Sequence, residues 1–285
     1  MPDVAIKPLS NACGAEIIGV DLAKPISPEV AAEINRAWLD HCVLVVRGQE
    51  LAEIDHVNFA GAFGPVGYNL RPDTLRNDAM KERHPSVVFV SNIVENGEPI
   101  GTLPDGEMMF HTDTGYDQNP HKATTLYAIE IPSEGGNTIF SNQYSVYDAL
   151  SEQLMGLLEG RNAQHAYEFG VMIKDKEKFD GPEVRTAVHP VFRPHSETEK
   201  LTVYVNELMT ESIEGLSDAE SRAALDEIFA LQKEKRFCYE HVWQKRDLVM
   251  WDNRCTLHAR TDFPRNERRL LRRVTIQDAA PAWAA

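Results

Sequence analysis

The stretch "MMFHTDTGY", residues 108 to 116, sets His111 and Asp113 two apart inside an apolar and aromatic run. On a β-strand, residues i and i+2 point to one face, so the two side chains are expected to converge. An imidazole nitrogen and a carboxylate oxygen suit a divalent cation such as iron(II), manganese or zinc. Two ligands leave such an ion underbound, so a third protein donor is expected from elsewhere in the chain. Spacing alone is weak evidence. With 10 histidines and 44 acidic residues in 285 positions, chance yields about 1.5 His-x-acid matches. A second match, His195-x-Glu197, sits in the charged stretch "RPHSETEK" and reads as a solvated turn. A buried His beside a buried Asp is also a common structural hydrogen-bonded pair.

The second group of chemistry-bearing residues lies in "WDNRCTLHARTDFPRNERRLLRRVTIQ", residues 251 to 277. His258 occupies a short apolar run after "WDN". Beyond a turn at Pro264, "RRLLRRVTIQ" reads as a strand with one buried face. Arg269, Leu271, Arg273 and Thr275 then share one side, and Arg268, Leu270, Arg272 and Val274 the other. Two arginines four residues apart stand roughly 13 Å from one another on such a face. Each is suited to hold an anion bidentately. Five arginines between 265 and 273 also suggest a nucleic-acid patch. The interleaved leucine, valine and isoleucine, and the acidic whole, argue for the strand.

These groups need elements to position them. Ser27 as N-cap, Pro28 and Glu29 open a helix over 27–41, with Val30, Ile34, Trp38 and Cys42 on one face. "VLVVRG" (43–48) is a short buried strand, and a second helix covers 51–62. Residues 65–107 hold little regular pattern beyond a strand at 86–92, which suggests a lid or substrate loop. "KATTLYAIEI" (122–131) and "GGNTIFSN" (135–142) read as two strands joined through a Gly-Gly turn, and a helix is expected over 145–158. Strand-like runs follow at 187–193, 201–206, 236–243, 247–251 and 270–276. Ser217 and Glu220 form a capping box for one helix among them. Many short strands with a few irregularly placed helices predict a mainly β fold, an antiparallel sandwich or barrel with added helices.

The composition narrows the class. Net charge is −15, from 44 acidic against 29 basic residues. That argues against general nucleic-acid binding and against an anionic membrane surface as partner. The cysteines at 13, 42, 238 and 255 are scattered, which suits a reduced compartment. No basic start with a long apolar run marks a signal peptide, and no stretch is long enough to span a membrane. A cytoplasmic protein is expected. A single domain over 1–285 is expected from the length.

His111-x-Asp113, a long gap, His258, then Arg269 eleven residues on, resembles the taurine dioxygenase and 2,4-dichlorophenoxyacetate dioxygenase family. "GGNTIF" (135–140), "AVHPVFRPH" (187–195), "WDNRCTLH" (251–258) and "GAEIIGVDLAKPIS" (14–27) resemble segments of that family, so the likeness spans nearly the whole chain. The resemblance implies a double-stranded β-helix, the jelly-roll (cupin-like) core. It implies Fe(II) held by His111, Asp113 and His258, with 2-oxoglutarate as cosubstrate and O2 as oxidant. Arg269 would hold the far carboxylate of 2-oxoglutarate, helped by Thr138, with Trp251 lining the cofactor side. Arg273 would hold the substrate's anionic group. Tyr116, Asn69 and Asn92 are further pocket candidates.

The implied reaction hydroxylates a small anionic organic substrate, such as a sulfonate, carboxylate or aryloxyalkanoate, and releases succinate and CO2. If the attacked carbon bears a heteroatom, the product then collapses with cleavage. The carboxylate of Asp113 favours hydroxylation over halogenation, because an aliphatic halogenase of this broad class leaves that ligand position to chloride. Asn69, where the taurine enzyme carries a substrate-contacting histidine, argues against taurine itself. The histidines at 56, 84, 121, 165, 189, 195 and 241 read as structural or surface residues. Association into a dimer or tetramer is expected by analogy. Two rival readings stay open: a cupin-like metal-dependent isomerase or hydrolase without 2-oxoglutarate, and a non-catalytic ligand-binding protein. The first has no need of Arg269 or Thr138, and the intact His, Asp, His set argues against the second.

Overall fold

The structure, a computed structural model, describes residues 4–68, 83–103, 106–168 and 184–278. The N-terminal part contributes β1 (Ala5–Pro8), β2 (Ala15–Ile18), α1 (Pro28–His41), β3 (Val43–Val46) and α2 (Glu53–Gly61). Next come β4 (Val87–Ser91), the two-residue strands β5 (Val94–Glu95) and β6 (Glu98–Pro99), β7 (Met108–His111), β8 (His121–Glu130) and β9 (Thr138–Asn142). Helices α3 (Gln143–Asp148) and α4 (Glu152–Leu158) lead to β10 (Asn162–Glu168), β11 (Val184–Pro190), β12 (Phe192–Pro194), β13 (Leu201–Val203) and β14 (Thr210–Ile213). Helix α5 (Asp218–Gln232) precedes β15 (Cys238–His241), β16 (Leu248–Asp252), β17 (Thr256–Arg260) and β18 (Leu270–Gln277).

A seven-stranded sheet in the order β1-β2-β3-β16-β8-β18-β4 faces a four-stranded sheet in the order β15-β9-β17-β7. Val43, Val45, Leu126, Val249, Trp251 and Leu271 from the first meet Phe140 and Tyr239 from the second in one apolar cluster. The opposite face of the large sheet offers Leu44, Val46, Leu248, Met250, Val274 and Ile276 to α1 and α2. Both faces are therefore buried. This explains why "VLVV" shows no alternation, and it corrects the expectation of one buried face for β18. Arg272 sits on the helix side of β18. Its guanidinium donates to the carbonyls of Leu51 and Ala52, both at 3.0 Å, and to His56 Nδ1 at 3.2 Å. Arg269 and Arg272 of the arginine-rich run are thus buried, while the exposed Arg268 pairs with Glu130 at 2.7 Å.

Helix α1 forms as its sequence predicts. Ser27 Oγ accepts from the Val30 amide, Pro28 opens the first turn, and Trp38 and Ile34 are buried almost completely. Each such side chain contributes about 1.5–3 kcal/mol by leaving water. The single helix expected over 145–158 is two. Asn142 caps α3 through the amides of Tyr144 and Ser145. Ser151 then caps α4 by accepting from the Leu154 amide at 3.2 Å, so the chain turns between them. A smaller lobe forms where Val146, Leu158, Val191, Val203, Ile213, Leu225 and Ile228 pack together. Strands β1, β10 and β14 were not legible, because "AIKP", "NAQHAYE" and "TESI" carry no clear apolar alternation. Among the described residues, no helix is long and apolar enough to cross a membrane.

Candidate active site

Antiparallel pairing of β7 with β17 places His258 directly opposite His111. Their rings lie 4.0 Å apart between centroids. Asp113 is not on the strand. It stands in the turn that follows β7, where Thr114 adopts φ +57°. The turn, not strand alternation, brings the carboxylate back, so that donor atoms of His111, Asp113 and His258 all lie within 4.8 Å of one another. His111 Nδ1 donates to the Met109 carbonyl at 2.9 Å, which leaves Nε2 as the available lone pair. His258 Nδ1 is buried without a hydrogen-bond partner among the described residues.

A second layer holds the carboxylate. Thr124 donates its hydroxyl to Asp113 Oδ2. Asn253 donates to Thr124 Oγ1 at 3.0 Å and accepts from Trp251 Nε1 at 2.9 Å. Thr112, the small residue between His111 and Asp113, donates to the Asn253 carbonyl at 2.8 Å. This is the structural content of the "WDN" segment. Burial would raise the Asp113 carboxyl, but the Arg273 guanidinium and the two imidazoles outweigh it and hold it well below the usual carboxylate range. Burial, and then His111, push His258 down to about 3; burial also lowers His111. Two neutral imidazoles and one carboxylate, unprotonated at neutral pH, form a donor set that fits iron(II).

These groups open onto a cavity of about 220 Å³. Arg269, on the cavity wall, is 2% exposed, and its Nη2 donates to the Gly136 carbonyl at 3.1 Å. Its Nε and Nη1 are buried without partners among the described residues. Burial, and then the charge of Arg260, lower its pKa to about 9. The Gly-Gly turn allows this placement. Gly135 and Gly136 have φ of +67° and +63°, and a Cβ on Gly136 would stand 3.1 Å from Arg269 Nε. Thr138 lines the same cavity and accepts from Trp243 Nε1 at 3.1 Å. A buried cation with two spare donors beside a hydroxyl fits the carboxylate of a dicarboxylic cosubstrate.

Arg273 also lines the cavity, with Nη1 3.4 Å from Asp113 Oδ1. Tyr116 lines it too and stacks on Tyr167 at 5.0 Å between centroids. Trp251 packs its ring 4.8 Å from that of His258. Asn92 is not among the lining residues. Its side chain instead donates to the Glu267 carbonyl at 2.8 Å and accepts from the Arg269 amide at 2.9 Å, so it positions the cation. Asn69 lies outside the described residues, as do 69–82 and 104–105 of the expected 65–107 loop. Tyr68, Ser86, Val88, Val90, Thr102 and Leu103 from the rest of that loop line the cavity.

Two lining residues carried no signal in the sequence: His121 at the start of β8, and Arg260, which donates to the Gly106 carbonyl. His195 is a correction of another kind. It is 2% exposed, not solvated, and its Nε2 lies 3.0 Å from Asp252 Oδ2. With Cys255 they form a second compact cluster. Its Asp252 carboxylate is already engaged by both His195 and Arg254, as expected of a structural ion-pair network.

Residues 5–275 match the family model described as "Taurine catabolism dioxygenase TauD, TfdA family". The chain belongs to this family. It is 33% identical to a pentalenolactone F synthase of Streptomyces avermitilis over 96% of this chain and 94% of that one. It is 30% identical to an alpha-ketoglutarate-dependent 2,4-dichlorophenoxyacetate dioxygenase of Cupriavidus pinatubonensis over 97% and 99%. A crystal structure of a taurine dioxygenase from Burkholderia xenovorans superposes with a TM-score of 0.81 at 29% identity, covering 98% of this chain and 91% of that one. The facing sheets are accordingly the jelly-roll core of these enzymes. Dioxygenases of this family use Fe(II), 2-oxoglutarate and O2. This chain is a 2-oxoglutarate-dependent non-haem iron dioxygenase, which closes the isomerase, hydrolase and pure-binder readings.

Proposed function

We propose that this dioxygenase, a single domain over 1–285, hydroxylates a small organic anion with an apolar body. In this reading His111, Asp113 and His258 hold the iron. Arg269 and Thr138 hold the far carboxylate of 2-oxoglutarate, and Arg273 holds the anionic group of the substrate. The observation that carries it is one cavity whose wall holds both a compact three-donor cluster and two arginines. The apolar body would rest on Tyr116, Tyr167 and Met209, which line the same space. Aryloxyalkanoates, sulfonates and sulfate esters all have this form.

Bound iron supplies the site where O2 is reduced as 2-oxoglutarate, O2 and substrate C–H become succinate, CO2 and C–OH. The chain's own residues do the rest. Asn92 fixes the backbone of Arg269, so its fork meets the cosubstrate in one orientation. Thr124 and Asn253 hold the Asp113 carboxylate, and the Met109 carbonyl sets the tautomer of His111. Val88, Val90, Leu103 and Met108 keep the cavity wall apolar and limit water at the reacting carbon.

The test needs no substrate. Under argon, iron(II) and then 2-oxoglutarate are added while the visible spectrum is followed. A weak charge-transfer band that needs both, and is lost in His111→Ala, supports the assignment. Tight metal binding without a band would sink the Arg269 role. Succinate release across aryloxyalkanoates, sulfonates and alkyl sulfates then tests the substrate class.

A further inference from the structure

Arg273 is not the only polar side chain on the cavity wall, which also carries His121 and Thr275. We propose that His121 and Thr275 extend it into a head-group site that selects an organic anion carrying a third acceptor oxygen, beyond the two that Arg273 binds. The proposal rests on the reading of Arg273 given above.

His121 is 7% exposed and lines the cavity. Its backbone amide donates to Thr114 Oγ1 at 2.8 Å, which anchors the ring at the first residue of β8. Buried imidazoles ordinarily satisfy both nitrogens. Nδ1 of His121 has no partner among the described residues. Thr275 lies two residues past Arg273, on the same strand face, and also lines the cavity.

Gly67 lies beside both side chains. Its amide donates to the Thr275 carbonyl at 2.8 Å. A Cβ at Gly67 would stand 2.5 Å from Thr275 Oγ1 and 3.4 Å from His121 Nε2. Gly67 is not in the left-handed region, so its backbone does not demand glycine. What the missing side chain leaves is room beside two polar groups.

The chemistry follows from counting donors. A carboxylate on Arg273 uses both of its oxygens in one bidentate contact. A sulfonate or sulfate ester has a third oxygen, and an aryloxyalkanoate has an ether oxygen next to its carboxylate. Either needs a further donor, which the Thr275 hydroxyl and a His121 N–H supply. Burial lowers the His121 pKa to about 4, so at neutral pH the ring is a neutral donor and not a second cation beside Arg273.

The experiment measures binding, not turnover. The protein is loaded with manganese(II) and N-oxalylglycine, an inert analogue of 2-oxoglutarate, and titrated calorimetrically with three anions of similar length. These are 2-phenylethanesulfonate, phenoxyacetate and 3-phenylpropanoate; the last two differ only in an ether oxygen against a methylene. The native protein is expected to bind at least one of the first two about threefold to tenfold more tightly than 3-phenylpropanoate. Whichever it prefers, sulfonate or ether, identifies the source of the third oxygen. His121→Leu and Thr275→Val should each shrink that preference and leave 3-phenylpropanoate unchanged. His121→Gln, which keeps an N–H, should retain part of it, and thermal melting checks that each variant is folded.

A native protein without preference, or a preference untouched in folded His121→Leu and Thr275→Val, overturns the proposal. Arg273→Gln separates the two layers. If it weakens all three anions while the His121 variants change nothing, the Arg273 reading stands and this proposal falls. If it weakens none, or if none of the anions binds, both fall.

Discussion

Replacing Arg269 with methionine should uncouple cosubstrate binding from stability, in a direction a structural arginine would not show. In the free protein the guanidinium is buried, donates from Nη2 to the Gly136 carbonyl, and leaves Nε and Nη1 unpaired among the described residues. The bond to a charged donor contributes about 1.5–3 kcal/mol, and each buried unpaired group costs about 1–3 kcal/mol. The sum is near zero or unfavourable, so Arg269→Met should melt at or above the native temperature without ligand. With 2-oxoglutarate bound the balance reverses. Losing one partner of a buried, hydrogen-bonded charge pair costs about 2–5 kcal/mol. At about 1.4 kcal/mol per tenfold, the dissociation constant should rise by roughly thirtyfold to several thousandfold. The assay pairs anaerobic titration of the iron(II) protein with 2-oxoglutarate against scanning fluorimetry of the free protein. A parallel fall in melting temperature and affinity would make Arg269 a structural residue. Unchanged affinity would place the carboxylate elsewhere.

Thr124→Val removes the hydroxyl that donates to Asp113, and should weaken manganese(II) binding about 10- to 100-fold by equilibrium dialysis. Gly135→Ala should destabilise the fold by about 2 kcal/mol or more in urea unfolding, because its Cβ would stand 2.2 Å from the Asp262 carbonyl oxygen at φ +67°. Glu197 gives a pH test. Burial would raise its carboxyl, but hydrogen bonds from Lys122 and Arg254 lower it to about 2. A depressed carboxyl stabilises the fold above its unfolded value, near 4.5, and that contribution fades as pH falls towards 2. Glu197→Gln should therefore lose about 1 kcal/mol, discounted for the partial exposure of the side chain. The gap in melting temperature should be constant from neutral pH down to the unfolded value and narrow below it; a gap that persists into acid would show that charge is not its cause.

The metal-binding candidates were legible because their spacing survives in one dimension. His111 and Asp113 are two residues apart, and His258 and Arg269 fall in one continuous segment with their apolar neighbours. Strand alternation does not by itself explain the first pair, since Asp113 reaches the cluster through a turn with a positive φ at Thr114. Asn92 was misplaced for a related reason. Its neighbour in space is the Arg269 backbone, 177 residues away, and nothing around it in the chain announces that contact. His195 read as solvated because charged residues flank it, yet those charges include Glu197, which pairs with Arg254 and helps bury the ring's network.

By itself the sequence determined the donor types, the caps of α1 and α5, the mainly β class and the acidic character of the chain. Those depend on neighbours within a few residues, where periodicity and capping chemistry act directly. Only the tertiary structure decided that both faces of the large sheet are buried, that Arg272 turns inward to α2 while Arg269 and Arg273 face the cavity, and that Gly67 lies beside both His121 and Thr275. Each of those depends on which strands pair and on what lies across the sheet. Such partners are fixed by packing between segments as many as two hundred residues apart, and no local pattern carries that information.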